Sequence, residues 1–190
     1  MDMVDLSPER KELLCAYWAK RPLSELADFI SMHYHGRACQ MIPALQDTIE
    51  ALLTALPEEL LDVRLPLKHL LQLLTEDMMH HLRTEEDRVF PAIRALEAGH
   101  TPVAQIRSFG HIHDEHDQII DTLVRLKLVS TLCRMPELGC PRCGGLQDQL
   151  AVLLTDLQEH VFLEDGILLA RAIEMEQRLG FSPDTEGGRS

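Results

Sequence analysis

The chain has 190 residues, with 31 acidic against 18 basic side chains and a formal net charge of −13. So negative a surface repels phosphate backbones and anionic lipid, which excludes nucleic acid and the membrane surface as partners and favours cations. Apolar residues at 45% and aromatics at only 4% fit one helical domain, long enough to bury a core, and no run of about 18 apolar residues is present to span a bilayer.

The N-terminal stretch "MDMVDLSPER" lacks the apolar core of a signal peptide, and the five cysteines are an odd number. Both features predict a reducing, cytoplasmic setting. Ser7-Pro8-Glu9 is a helix start, with a capping hydroxyl, a proline at the first helical position and an acid in the first turn. It predicts a short helix to about Lys20 within an N-terminal extension, residues 1–21. Pro22 opens the next helix, to about Leu56, with a bend at Pro43. "LPEELLDVRLP" is read as a connection, and Pro66 as the start of a helix to about Leu96, kinked near Pro91. "EAGHTP" ends it, and a third long helix is expected from Val103 to Val129. The loop "CRMPELGCPRCGG" precedes a fourth, from Leu146 to Leu179, stopped by Gly180. No strand pattern and no internal repeat of 20–50 residues is found. The expected architecture is all-α: an antiparallel, up-down four-helix bundle over residues 22–180, with a short extra N-terminal helix and a disordered tail, 181–190.

The inner stripes of these helices are interrupted. Leu67, Leu71, Leu74, Met78, His81, Glu85, Val89, Ala92 and Leu96 recur at steps of three and four, which is one helix face with two ionisable groups inside it. The last helix repeats the pattern with Leu146, Leu150, Leu153, Leu157, His160, Glu164 and Ile167. His35 shares a stripe with Ala38, Ile42, Leu45, Ile49 and Leu52, and His116 shares one with Ile120 and Leu123. Each histidine is expected near mid-height of its helix, so all four can occupy one layer. Buried carboxylates without partners cost several kcal/mol each, and no arginine lies on these stripes. A metal is the partner these residues require.

Imidazole and carboxylate ligands without thiolate suit iron or manganese more than a structural zinc. If Glu85 and Glu164 each bridge two metals, four histidines and two carboxylates fill eight of roughly twelve octahedral positions. A bridging oxygen takes two more and leaves about two open for a small ligand.

The stretches "PLSELADFISMHYHGR", "HHLRTEEDRVFPAI", "DEHDQII" and "DLQEHVFLED" resemble hemerythrin-like di-iron proteins, in order and across about Pro22 to Ile173. The resemblance is greater to the hemerythrin domain of the bacterial RIC proteins, which repair iron–sulfur centres. It implies two Fe ions as an oxo- or hydroxo-bridged pair, held by His35, His81, Glu85, His116, His160 and Glu164, with Glu85 and Glu164 bridging. It further implies nitric oxide or oxygen as ligand, iron–sulfur proteins as partners, and a role in nitrosative or oxidative stress, as monomer or homodimer. An oxygen carrier or sensor of hemerythrin type is the alternative. A ferroxidase- or peroxidase-like enzyme fits less well, because ferritin-like bundles use Glu-x-x-His and this chain has His-x-x-x-Glu. No catalytic residue is assigned.

The sequence departs from the RIC pattern in three respects. The N-terminal Cys-Cys domain usual in those proteins is not in this sequence. A further histidine ligand is absent near Leu56, where Glu58 and Glu59 follow, and these or His113 are the candidate seventh ligands. Cys140-Pro-Arg-Cys143, with Cys133 upstream, is a redox pair or half a metal site that lies too far along its helix to reach the layer. His33, His69, His80, His100 and His111 are expected at the surface or behind the ligands.

Overall fold

The computed structural model describes residues 6–100, 106–132 and 142–179. Among them there are no strands, and no helix is long and apolar enough to cross a membrane. The elements are α1 (Pro8–Trp18), α2 (Leu23–Ile30), α3 (Gly36–Ala55), α4 (Leu61–Thr84), α5 (Phe90–Glu97), α6 (His111–Leu132), α7 (Arg142–Leu163) and α8 (Ala170–Arg178). Three single π-turns, Ser31–His35, Glu85–Val89 and Glu164–Leu169, join α2 to α3, α4 to α5 and α7 to α8 without a break.

The result is an all-α bundle of four long rods, each packed on the next: α3 against α4, α4 against α6, α6 against α7, and α7 back against α3. Neighbouring rods run in opposite directions. The start of α2 meets the end of α5, where Glu97 accepts hydrogen bonds from the Leu23 and Ser24 amides at 2.6 and 3.0 Å and from the Ser24 hydroxyl at 2.5 Å. At the opposite end, Arg64 of α4 donates to the Leu53 and Leu56 carbonyls that close α3. Glu97 thus caps α2 from another rod, since Pro22 at that end offers no side-chain acceptor. Glu97→Ala is expected to cost about 2 kcal/mol, the upper range for a lost cap. The check is a lower midpoint in urea unfolding with an unchanged slope.

The N-terminal helix forms as its sequence signals require. The Ser7 hydroxyl accepts from the Arg10 amide at 3.2 Å, and Pro8 holds the first position. Leu14 and Trp18 bury it in the same apolar core as α2, α5 and α8. The rod after it runs on through Pro43 as helix. The second rod starts at Leu61, not Pro66. The connection is only residues 56–60, and Pro66 lies inside the helix. The extra turn buries Val63 beside Leu67, which outweighs the hydrogen bond that Pro66 cannot give. At its far end the rod stops at Gly99, whose φ of 75° favours glycine, and the His100 amide closes back on the Ala95 carbonyl at 2.9 Å.

The third rod is shorter than expected. A 3-10 turn, Ile106–Phe109, precedes Gly110, and α6 begins at His111, so His116 is only the sixth residue of its helix. The expected start at Val103 lies outside the described residues. The fourth rod begins at Arg142, four residues before Leu146, and runs through Gly144 and Gly145. Cys133, Cys140, Gly180 and the tail 181–190 also lie outside the described residues.

Every residue of the four inner stripes is buried except Ile120, which is partly covered; Ile119 takes its place in the core. The kink expected near Pro91 appears as the π-turn just before it. A proline cannot donate back into the preceding turn, and a wider turn relieves the clash.

Candidate metal centre

Two apolar cores occupy the two ends of the bundle. One is lined by Met78, Ile119 and Leu157, the other by Val89, Ile112 and Ile167, and a polar layer lies between them. The layer holds His35, His81, Glu85, His116, His160 and Glu164, none more than 3% exposed. The structure brings all six sequence candidates together. His35 ends one π-turn, and Glu85 and Glu164 each begin another. A π-turn carries one extra residue and rotates the chain beyond it. Hence the step from Ile30 to His35 is five, not four, and both remain inside.

The donor atoms sort into two groups. His35, His160, Glu85 and Glu164 can present ligand atoms within 4.8 Å of one another, and so can His81, His116, Glu85 and Glu164. Both carboxylates belong to both groups. The Nε2 atom of His160 lies 2.8 Å from Glu164 Oε1, and His116 Nε2 lies 3.0 Å from Glu164 Oε2. Glu85 Oε2 is 3.3 Å from His35 Nε2 and 3.4 Å from His81 Nε2. Several of these contacts are close without the alignment of a hydrogen bond. The Nε2 atoms of His81 and His116, Glu85 Oε2 and both Glu164 oxygens are buried with no hydrogen-bond partner. Polar atoms turned inward on a shared centre, and unsatisfied by protein, are what bound cations would use. The residues present therefore fit metal binding, as two overlapping groups that each offer two nitrogen and two carboxylate donors.

Behind the ring nitrogens stands a set of carboxylates. Glu86 bonds His35 Nδ1 at 2.8 Å and also accepts from the Ser31 hydroxyl at 3.0 Å. Glu115 bonds His81 Nδ1 at 3.0 Å, and Asp165 bonds His116 Nδ1 at 3.1 Å. Each fixes the tautomer that leaves Nε2 free to face inward. Sequence reasoning missed this set, although a signal existed. Glu86 follows Glu85, Asp165 follows Glu164, and Glu115 precedes His116, so an acid sits next to a candidate ligand three times over.

Glu86→Ala and Glu115→Ala are each expected to weaken metal binding by about 10–100-fold. The Glu86 change acts on the His35 position and the Glu115 change on the His81 position. Equilibrium titration with cobalt(II), whose absorption reports each coordination sphere, is the check.

None of the three candidate seventh ligands reaches the layer. His113 is 65% exposed and bonds Asp165 at 2.8 Å, so it supports His116 through that carboxylate. Glu58 and Glu59 lie exposed in the turn after α3, about 30 Å along the rod from His35 at helical rise. Cys143 falls in the first turn of α7, roughly 25 Å before His160 on the same measure. His33, His69, His80, His100 and His111 are exposed, as expected.

The layer divides its protons unequally. Burial opposes a charge on His35, but Glu164 and Glu85 beside its ring outweigh it and lift its pKa to about 10. At His116 burial is likewise overcome, by Asp165 and Glu164, again to about 10. Burial, with the His116 charge next to it, drives His81 down to about 3, and burial also lowers His160. Burial and the Glu164 charge push Glu85 up to about 8. Burial resists a charge on Glu164 too, yet His160 and the rings of His116 and His35 hold it well below the usual carboxylate range. Without metal, then, two imidazoliums stand where cations would otherwise balance the glutamates.

Comparison with known proteins agrees with this geometry. Residues 21–172 match the family described as "Hemerythrin HHE cation binding domain". The chain is 28% identical over 166 residues to the "Iron-sulfur cluster repair protein YtfE" of Escherichia coli O81 (strain ED1a), covering 84% of this chain and 70% of that protein. It is 27% identical, with the same coverage, to the proteins of that name from Escherichia coli O1:K1 / APEC and Escherichia fergusonii. The bundle, its buried histidine–glutamate layer and a family match over most of its length lead to one conclusion: the chain belongs to the hemerythrin HHE cation binding domain family.

Proposed function

We propose that this chain is a non-haem di-iron protein that binds a diatomic ligand, nitric oxide or oxygen, and serves the repair of iron centres under nitrosative or oxidative stress. The observation that carries the reading is the sharing of Glu85 and Glu164 by two groups of four donors, with Glu85 Oε2 and both Glu164 oxygens buried and without a hydrogen-bond partner. His35 and His160 would hold one iron, His81 and His116 the other, and the two glutamates would bridge. Iron supplies redox change and open coordination positions for a small ligand. The chain's own part is to orient the four rings through Glu86, Glu115 and Asp165, and to keep bulk water out with an apolar core at each end. The repair role is supported by the similarity to YtfE proteins. Iron–sulfur proteins would then be its partners.

Metal analysis of protein purified from its host is expected to give two irons per chain. Anaerobically reduced protein should bind nitric oxide, seen as new visible absorption. Oxygen added separately should oxidise the pair to the ferric state without a lasting oxygenated form. An oxygenated form that reverts under vacuum would favour the carrier or sensor reading. No response to nitric oxide from protein holding both irons would remove the stress-response reading.

A further inference from the structure

The chain has one tryptophan and two tyrosines in 190 residues. All three lie on one line. The Tyr34 ring is stacked on the His160 imidazole, with centroids 5.5 Å apart and planes 9° from parallel. Phe29 lies 6.0 Å from Tyr34 on one side and 5.2 Å from Trp18 on the other. Trp18 meets Tyr17 edge-on at 5.0 Å. Trp18 is 2% exposed and Tyr17 is 55% exposed, so the line begins at a ring of the buried layer and ends in solvent. Arg21 covers the outer end, its guanidinium 4.2 Å from the Tyr17 ring centroid.

Chance clustering explains this poorly. Packing alone would be served by leucine, the commonest side chain of the core. Tyrosine and tryptophan are the side chains that lose an electron most readily among the aromatics. Here they mark the two ends of a short path, with Phe29 as the bridge between them. The other three histidines of the layer are each backed by a carboxylate, Glu86 at His35, Glu115 at His81 and Asp165 at His116. The carboxylate of Glu159 faces the Tyr34 hydroxyl and is itself paired with Arg10 of α1.

We propose that Tyr34, Trp18 and Tyr17 form a relay that carries oxidising equivalents from the metal layer to the protein surface. The proposal rests on the di-iron reading above. The oxidant is hydrogen peroxide, which bound iron would activate. One peroxide takes up two electrons from the relay and two protons from solvent and becomes two waters. The electrons leave Tyr34 one at a time, and each time the phenol proton passes to Glu159. Trp18 refills Tyr34, which recovers its proton, and Tyr17 refills Trp18. A small one-electron reductant of the ascorbate class refills Tyr17 at the surface. The relay spares the ligand histidines, which are otherwise the nearest oxidisable groups.

The test uses iron-loaded, full-length protein with its iron content measured before and after. Peroxide is added without reductant, and samples are frozen for electron paramagnetic resonance and digested for mass spectrometry. In the native sequence an aromatic radical and oxidation products at Tyr17 are expected. Tyr17→Phe, at an exposed site, should move the products to Trp18. Tyr34→Phe, which keeps the stacked ring, should abolish products at both and speed oxidation of the ligand histidines and loss of iron. Ascorbate should protect the native protein and not the Tyr34→Phe variant. The relay is overturned if protein holding both irons gives no aromatic radical and all three forms lose iron equally. Failure to load iron in the native sequence would instead strike the di-iron reading itself.

Discussion

Glu164→Ala is expected to abolish metal binding at both positions, not one. Glu164 contributes to both donor groups, and its oxygens face His116 and His160 at 3.0 and 2.8 Å. In the proposed di-iron arrangement its loss would remove one ligand from each metal together with the anion that offsets both charges. Without metal the variant also leaves His35 and His116 with a lost counter-charge in a buried layer, a defect of about 3–5 kcal/mol. Glu85→Ala should likewise empty both positions. In the metal-free state it should cost less stability, because burial already disfavours a charge on Glu85. His81→Ala should chiefly affect the His81–His116 position. Iron per chain, measured by elemental analysis beside urea unfolding of the metal-free forms, separates these outcomes. Retention of one full iron by Glu164→Ala would overturn the bridging arrangement.

Metal uptake is expected to release protons and to strengthen steeply as pH rises. Ligands must be deprotonated to bind. In the metal-free layer His35 and His116, both raised to about 10, hold protons at neutral pH, and so does Glu85, raised to about 8. His81 and His160, both lowered, do not. Below pH 8 up to three protons compete with metal, so each unit of rising pH is expected to increase apparent affinity by up to about a thousandfold. Between pH 8 and 10 the Glu85 proton no longer competes and the slope falls towards two protons. Adding metal to weakly buffered protein under argon and titrating the acid set free counts them. Release of no protons at pH 7 would contradict the charge distribution described for the layer.

Much of this was legible in the residues before any coordinates. The apolar stripes run at steps of three and four, and a buried histidine or glutamate on them has to be explained because its burial is costly. That reasoning is local. It needs only the period of a helix, and it named His35, His81, Glu85, His116, His160 and Glu164. The helix class and the rod count come from the same period. Rod ends were legible less often. Ser7-Pro8-Glu9 and Gly99 mark real ends because capping is a local hydrogen-bond matter. Pro66 was misleading, since burial of Val63 from another rod's side carries the helix five residues further back.

What only the tertiary structure decided depends on groups distant in sequence. Glu86, read from its own helix, faces away from the stripe, yet it meets His35 from across the bundle, 51 positions away. Glu115 and Asp165 reach their histidines in the same way, and His113 finds Asp165 instead of a metal. The π-turns, too, are answers to packing. A one-residue insertion lets Ile30 and His35, or Glu85 and Phe90, share the interior at a spacing that the α-helical period forbids. The sequence by itself determined which side chains must be buried, because hydrophobic periodicity is written along the chain. The fold alone decided which atoms meet there, because a hydrogen bond or a shared ligand site is a distance between rods.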